Sequence, residues 1–248
     1  MATVAAPYTK IEVEPISGAL GAEISGVDLS QPIDDATFKE IADAFHAHCV
    51  IFFRDQDLSP DNQKDFARRF GPLNVHPFVG HLEGHPEVIP IIKEKDEKVN
   101  FGGGWHSDMS FLPEPSLGSV LYAHETPTYG GDTLWANQYL AYETLSDGMK
   151  QMLGGLKAVH SASMQYGTKS EASKNSAGRK SMETKATEEA HATVEHPVVR
   201  THPVTGRKGL FVNEAFTLKF AGMTRRESQP LPRYLYDHCT QDPLTCRF

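Results

Sequence analysis

The sequence predicts a mainly β chain with flanking helices, an α+β barrel or sandwich built as one continuous unit. Three observations carry this. Short alternating or apolar runs recur between glycine and proline punctuation, while helical periodicity with recognisable caps is confined to a few stretches. The 248 residues, 39 % of them hydrophobic, are enough for a single large domain spanning 1–248 with its own core.

The elements follow in order. Residues 10–30 alternate apolar and polar around glycines, which predicts two short strands about a turn. Phe38, Ile41, Ala42 and Phe45 then repeat at helical spacing behind Asp34 or Asp35. Val50–Phe53 is a continuous apolar run of buried-strand length. Ser59-Pro60 opens a second helix, with Phe66 and Phe70 inward and Gly71 as its stop. From Val88 to Leu134 the predicted strands are VIPII (88–92), SVLYAHE (119–125) and GDTLWA (131–136). A helix is expected from Ser146 to Leu153, with Met149, Met152 and Leu153 inward. Residues 167–195 are rich in Lys, Ser, Glu, Thr and Ala, with almost no large apolar residue, and predict a surface loop or a lid over a site. HPVVRTH and KGLFVNEAF return to strand character around a Pro203–Gly206 turn. Thr224-x-x-Glu227 is a capping box that opens a helix with Leu231, Leu235 and His238 on one face.

The formal net charge of −8 argues against a nucleic-acid surface. No apolar run reaches signal-peptide or membrane-spanning length. Cys49, Cys239 and Cys246 form no C-x-x-C pair, so a thiolate zinc site or disulfide framework is not expected, and a cytoplasmic location fits.

The stretch GGGWHSDMSF (102–111) places His106 and Asp108 two residues apart. On a strand, i and i+2 share a face, so an imidazole and a carboxylate would grip one ion, a donor set that suits ferrous iron, manganese or zinc. The spacing alone is weak: His81/Glu83 and His85/Glu87 repeat it, close to what composition predicts. Those two lie in a polar glycine–proline loop, whereas His106 and Asp108 are set between aromatic and apolar residues, where buried polar groups need partners.

Several ordered motifs add specificity. Trp105-His106-x-Asp108, Glu125-x-Pro127-x-x-Gly130-Gly131-Asp132-Thr133-Leu134-Trp135, His196-Pro197-Val198-Val199-Arg200-Thr201-His202-Pro203 and Leu210-Phe211-Val212-Asn213-Glu214 together resemble the taurine/2-oxoglutarate dioxygenase family (TauD/TfdA). Ser59-Pro60 with Phe66-Ala67-Arg68-Arg69-Phe70-Gly71 fits that family's N-terminal helix, and the resemblance runs from about Gly18 to the last residue. It implies a double-stranded β-helix, or jelly roll, of the clavaminate synthase-like kind. It also implies Fe(II) held by two histidines and a carboxylate, 2-oxoglutarate and O2 as cosubstrates, and hydroxylation of a small organic anion with succinate and CO2 as co-products. By position, His106 and Asp108 match two iron ligands, and Thr133 matches the hydroxyl that meets a 2-oxoglutarate carboxylate. His76 matches a histidine that meets the substrate anion. Val79, Gly102, Met109 and Phe216 fall at substrate-facing positions.

The match departs from the family in two ways. Val79 and Gly102 stand where the taurine enzymes carry a tyrosine and an asparagine, so a larger or more apolar anion is as plausible: another alkylsulfonate, an alkyl sulfate ester or an aryloxy acid. The family's distal histidine and cosubstrate-binding arginine follow a Trp-Asp-Asn-Arg type segment, and no such segment occurs here. His160, His191, His196, His202 and His238 are the remaining downstream histidines, and none occupies that place. The expectation is therefore a dioxygenase domain that lacks its last strands and is impaired as written. The alternative is a non-catalytic chain serving as a binding or regulatory partner; a metal-assisted hydrolase ranks last, for want of a placed base. Exposed strand edges would favour homo-oligomers.

Overall fold

A computed structural model describes residues 8–170 and 181–248. The N-terminal layer is a three-stranded sheet. β1 (Glu12–Pro15) runs antiparallel to β2 (Ala22–Ser25), and β3 (Ile51–Phe53) returns parallel to β2. The crossover between β2 and β3 is α1 (Asp35–His48), capped by Asp34, whose carboxylate accepts the Thr37 N–H at 2.8 Å. Cys49 ends the helix at φ 69°. α2 (Pro60–Arg68) starts at a Ser59 cap with proline in the first turn, as its sequence predicts, and Asn62 completes a capping box. The Phe38, Phe66 and Phe70 rings lock α1 onto α2, with centroids 4.8 Å apart for Phe38–Phe70 and 5.5 Å for Phe66–Phe70.

The C-terminal body holds β4 (Leu134–Ala136), α3 (Gln138–Glu143), α4 (Asp147–Leu153), β5 (Lys157–Ser161), α5 (Ser163–Tyr166), β6 (Thr193–Pro197), β7 (Val199–Thr201), β8 (Lys208–Leu210), β9 (Thr217–Phe220), α6 (Arg225–Ser228), α7 (Pro230–Cys239) and β10 (Thr245–Arg247). β5 is the centre of an antiparallel β6-β5-β9 sheet; β7 pairs with β8, and β4 with β10. Leu153, Ala158, Val198, Phe220 and Leu235 are wholly buried between these elements. Among the described residues the sheets are separate ladders of two or three strands, not a closed barrel.

Several expectations need correction. VIPII forms no strand: Pro90 has no N–H to give to a ladder. SVLYAHE forms no strand either, but its side chains alternate as expected, with Val120 and Tyr122 packed on the N-terminal core and Leu121 exposed. It is held by side chains rather than by a partner strand. Gln63 donates to the Val120 carbonyl at 2.8 Å, and the Tyr122 hydroxyl donates to the Gln56 carbonyl at 3.0 Å. Met152 is exposed, so α4 faces inward through Leu153 and Met149 only. The helix expected from Thr224 is two: its capping box forms, but Pro230 begins α7 afresh. Of residues 167–195, 171–180 lie outside the described residues. The remainder is built into the fold. Gly80 N–H donates to the Glu183 carbonyl at 2.9 Å and Lys185 N–H to the Phe78 carbonyl at 2.8 Å; Met182 and Ala190 are buried, and β6 starts at Thr193. Composition could not signal this, because backbone pairing requires no large apolar side chain.

Candidate metal and substrate site

His106 and Asp108 do not lie on a strand. The chain runs irregularly through His106 and then turns, with Met109 at φ 55° and Leu112 N–H bonded to the Met109 carbonyl at 2.9 Å. A left-handed residue ends any pleat, so the expected strand cannot continue. The turn nevertheless brings the two groups together: His106 Nε2 lies 3.2 Å from Asp108 Oδ1. His106 Nδ1 lies 2.7 Å from the Gly104 carbonyl oxygen, which accepts only, so Nδ1 carries a proton. Nε2 and Oδ1 are then both acceptors aimed at each other, and a positive charge belongs between them: a proton or a metal ion. In the proton-bound state the Asp108 carboxylate raises the His106 pKa, and the imidazolium lowers that of Asp108. The second oxygen, Oδ2, accepts a hydrogen bond from the Ser119 hydroxyl at 2.7 Å. Gly102, at φ 66°, passes beside the ring; a Cβ there would meet His106 Cε1 at 3.5 Å.

Buried polar residues hold the turn from beneath. Ser110 is wholly buried; its Oγ accepts from Asn213 Nδ2 at 3.0 Å and lies 3.3 Å from His160 Nδ1. His160 is itself wholly buried on β5, and burial, reinforced by His196 and Arg200, pushes its pKa down to about 4. His196 Nε2, on β6, lies 2.9 Å from the Leu112 carbonyl. Neither histidine joins the His106–Asp108 pair: among the described residues no group of three or more His, Cys, Asp or Glu is placed to hold a metal ion. Ser119, Ser110 and Asn213 were not sequence candidates, because nothing in a sequence marks a serine as the partner of a residue far along the chain.

The substrate candidates collect beside this turn. Val79, Met109 and Phe216 are buried in one cluster with Phe78, Phe111 and Tyr166. The His76 ring lies against it, with centroids 5.4 Å from Tyr166 and 6.1 Å from Phe111. His76 Nδ1 accepts the Phe78 N–H at 3.1 Å, which leaves the proton on Nε2. Burial lowers its pKa while the nearby Asp108 charge pulls the other way, so the ring is a neutral donor. Phe216 N–H is tied to Asn213 Oδ1 at 2.9 Å, linking this wall to the Ser110 network.

A cavity of about 320 Å³ opens on the His106 side, walled by Trp105, Leu134–Ala136, Asn213 and Tyr236. Thr133 lies one residue beyond that wall. It is exposed, and its backbone exchanges two 3.0 Å hydrogen bonds with Phe248, extending the β4–β10 ladder. The structure thus joins His106, Asp108 and Gly102, gathers His76, Val79, Met109 and Phe216 next to them, and leaves Thr133 at the end of the cavity wall.

Residues 12–248 match the model of the family described as taurine catabolism dioxygenase TauD, TfdA. An α-ketoglutarate-dependent sulfate ester dioxygenase of Pseudomonas putida is 33 % identical over 252 residues, covering 100 % of this chain and 81 % of its own length. The crystal structure of a taurine dioxygenase from Burkholderia xenovorans superposes with a TM-score of 0.77 at 32 % identity, covering 97 % of this chain and 77 % of that one. A crystal structure of AAD-2 with Mn(II) and N-oxalylglycine superposes with a TM-score of 0.74 at 28 % identity, covering 97 % and 84 %. The fold is the double-stranded β-helix of these enzymes, and the chain belongs to the TauD/TfdA dioxygenase family.

Proposed function

We propose that this protein is an Fe(II)- and 2-oxoglutarate-dependent dioxygenase that hydroxylates a small organic anion of the sulfate-ester or sulfonate class. The observation that carries the reading is the facing of His106 Nε2 and Asp108 Oδ1 at 3.2 Å, with Nδ1 already committed to Gly104. Two acceptors so placed suit a divalent cation. When bound, the ferrous ion with 2-oxoglutarate supplies the oxidising chemistry: one atom of O2 enters a substrate C–H bond, the other enters succinate, and CO2 is released.

The chain's own residues would act around that chemistry. His106 and Asp108 would hold the ion. The Thr133 hydroxyl would donate to a 2-oxoglutarate carboxylate from the end of the cavity wall. His76 would donate its Nε2–H to the substrate anion, as a neutral hydrogen-bond donor rather than a full cation. Val79, Met109 and Phe216 would pack the organic part and exclude water, and Gly102 leaves the approach to His106 open. An apolar wall with Val79 in place of a tyrosine favours an alkyl sulfate ester or alkylsulfonate over taurine. Residues 183–185, paired to residues 78–80, would cover this cluster on one side.

The test is Fe(II)-dependent release of succinate from 2-oxoglutarate by purified chain, screened over alkyl sulfate esters, alkylsulfonates and aryloxy acids. Turnover raised by one of these anions and lost in His106→Ala and Asp108→Ala supports the reading; turnover unchanged in both variants refutes it. A second reading, a family chain that binds ligand without turning over, rests on the absence of a third donor beside the pair among the described residues. It predicts metal and anion binding with no succinate.

A further inference from the structure

The Asp108 carboxylate can meet an ion through one oxygen or both, and the structure shows what decides between them. Oδ1 faces His106 Nε2, while Oδ2 is occupied by the Ser119 hydroxyl at 2.7 Å. We propose that Ser119 is a positioning residue that holds Asp108 as a one-oxygen ligand, an inference that rests on the reading of His106 and Asp108 as metal ligands. Ser119 is exposed, so core packing does not explain its placement. It is set by its neighbours in the chain: Val120 and Tyr122 are pinned to the α2 side through Gln63 and Gln56. The hydroxyl therefore reaches Asp108 from a part of the fold independent of the turn that carries the pair. A hydroxyl bonded to an anionic oxygen is charge-assisted and directional. It restrains rotation of the carboxylate and takes up one lone-pair site of Oδ2, which favours Oδ1 as the oxygen that meets the ion.

The experiment is a Mn(II) titration of wild type, Ser119→Ala, Ser119→Thr and His106→Ala, followed by the electron paramagnetic resonance signal of the free ion, with a thermal melt of each. Ser119→Ala is expected to weaken Mn(II) binding about 10-fold and to alter the bound-ion spectrum. Ser119→Thr is expected to restore both, and the melts are expected to coincide. Equal affinity and spectrum in wild type and Ser119→Ala, with His106→Ala impaired, overturn the Ser119 role alone. Failure of Ser119→Thr to restore binding, or loss of binding that tracks a lowered melt, also overturns it. Wild type and His106→Ala that are indistinguishable overturn the metal reading itself.

Discussion

At His106 one proton decides the chemistry of the pair. The Gly104 carbonyl fixes a hydrogen on Nδ1, so whatever bridges Nε2 to Asp108 carries positive charge. The His106 pKa is raised, so the stabilisation from this contact is complete below the ordinary histidine value and is lost as pH rises through the raised one. The Asp108 pKa is lowered, so its share is present above the ordinary carboxyl value and is lost as pH falls through the depressed one. Together they make the ion pair's contribution complete between the ordinary carboxyl and the ordinary histidine values. A metal ion competes with the bridging proton, so divalent-ion affinity should climb with pH through the raised His106 pKa, as Mn(II) titrations at stepped pH would show. An affinity flat with pH would contradict the competition. The pair was legible in the sequence as His-x-Asp, but its reason was not: a turn at Met109, not the period of a strand, brings the groups together. Ser119 was illegible because its bond spans 11 residues of irregular chain.

Helix starts were the most readable elements, since their chemistry is local. Asp34, Ser59, Ser146 and Thr224 all cap where their sequence context says they should. Asn137, unremarked in the sequence, caps α3 by accepting from Tyr139 and Leu140 N–H, and its Nδ2 donates to the Ala19 carbonyl at 2.6 Å. It therefore ties the C-terminal body to the N-terminal layer. Asn137→Ala should cost about 2–3 kcal/mol from the lost cap and the unpaired carbonyl, read as a lower midpoint in chemical denaturation. Asn137→Ser should recover the capping part only. The strand runs were less readable. VIPII and SVLYAHE have apolar character, yet a ladder depends on a partner that no local pattern specifies. α3 and β5 gave no recognised signal, although β5 carries the buried His160 beneath the site.

At the scale of the molecule, three apolar clusters divide the work among the described residues. The N-terminal cluster positions the Ser119 run, the C-terminal cluster supports the cavity wall, and the third holds the substrate candidates. Leu235, wholly buried in the C-terminal cluster, should cost about 2–5 kcal/mol on replacement by alanine and should leave substrate preference unchanged. Phe216→Ala should also destabilise, but should in addition raise KM for longer alkyl anions over short ones. A common effect on both ratios would contradict the assignment of Phe216 to the substrate wall. Fold class and family were legible because ordered motifs span most of the chain; the closing of the site was not, because it depends on contacts between distant segments. The most direct test of the account is an anaerobic calorimetric titration of Fe(II) into wild type, His106→Ala and Asp108→Ala. A single ion bound per wild-type chain and none by either variant is the expected result. Absence of binding by the wild type, or the same isotherm for all three, would contradict it.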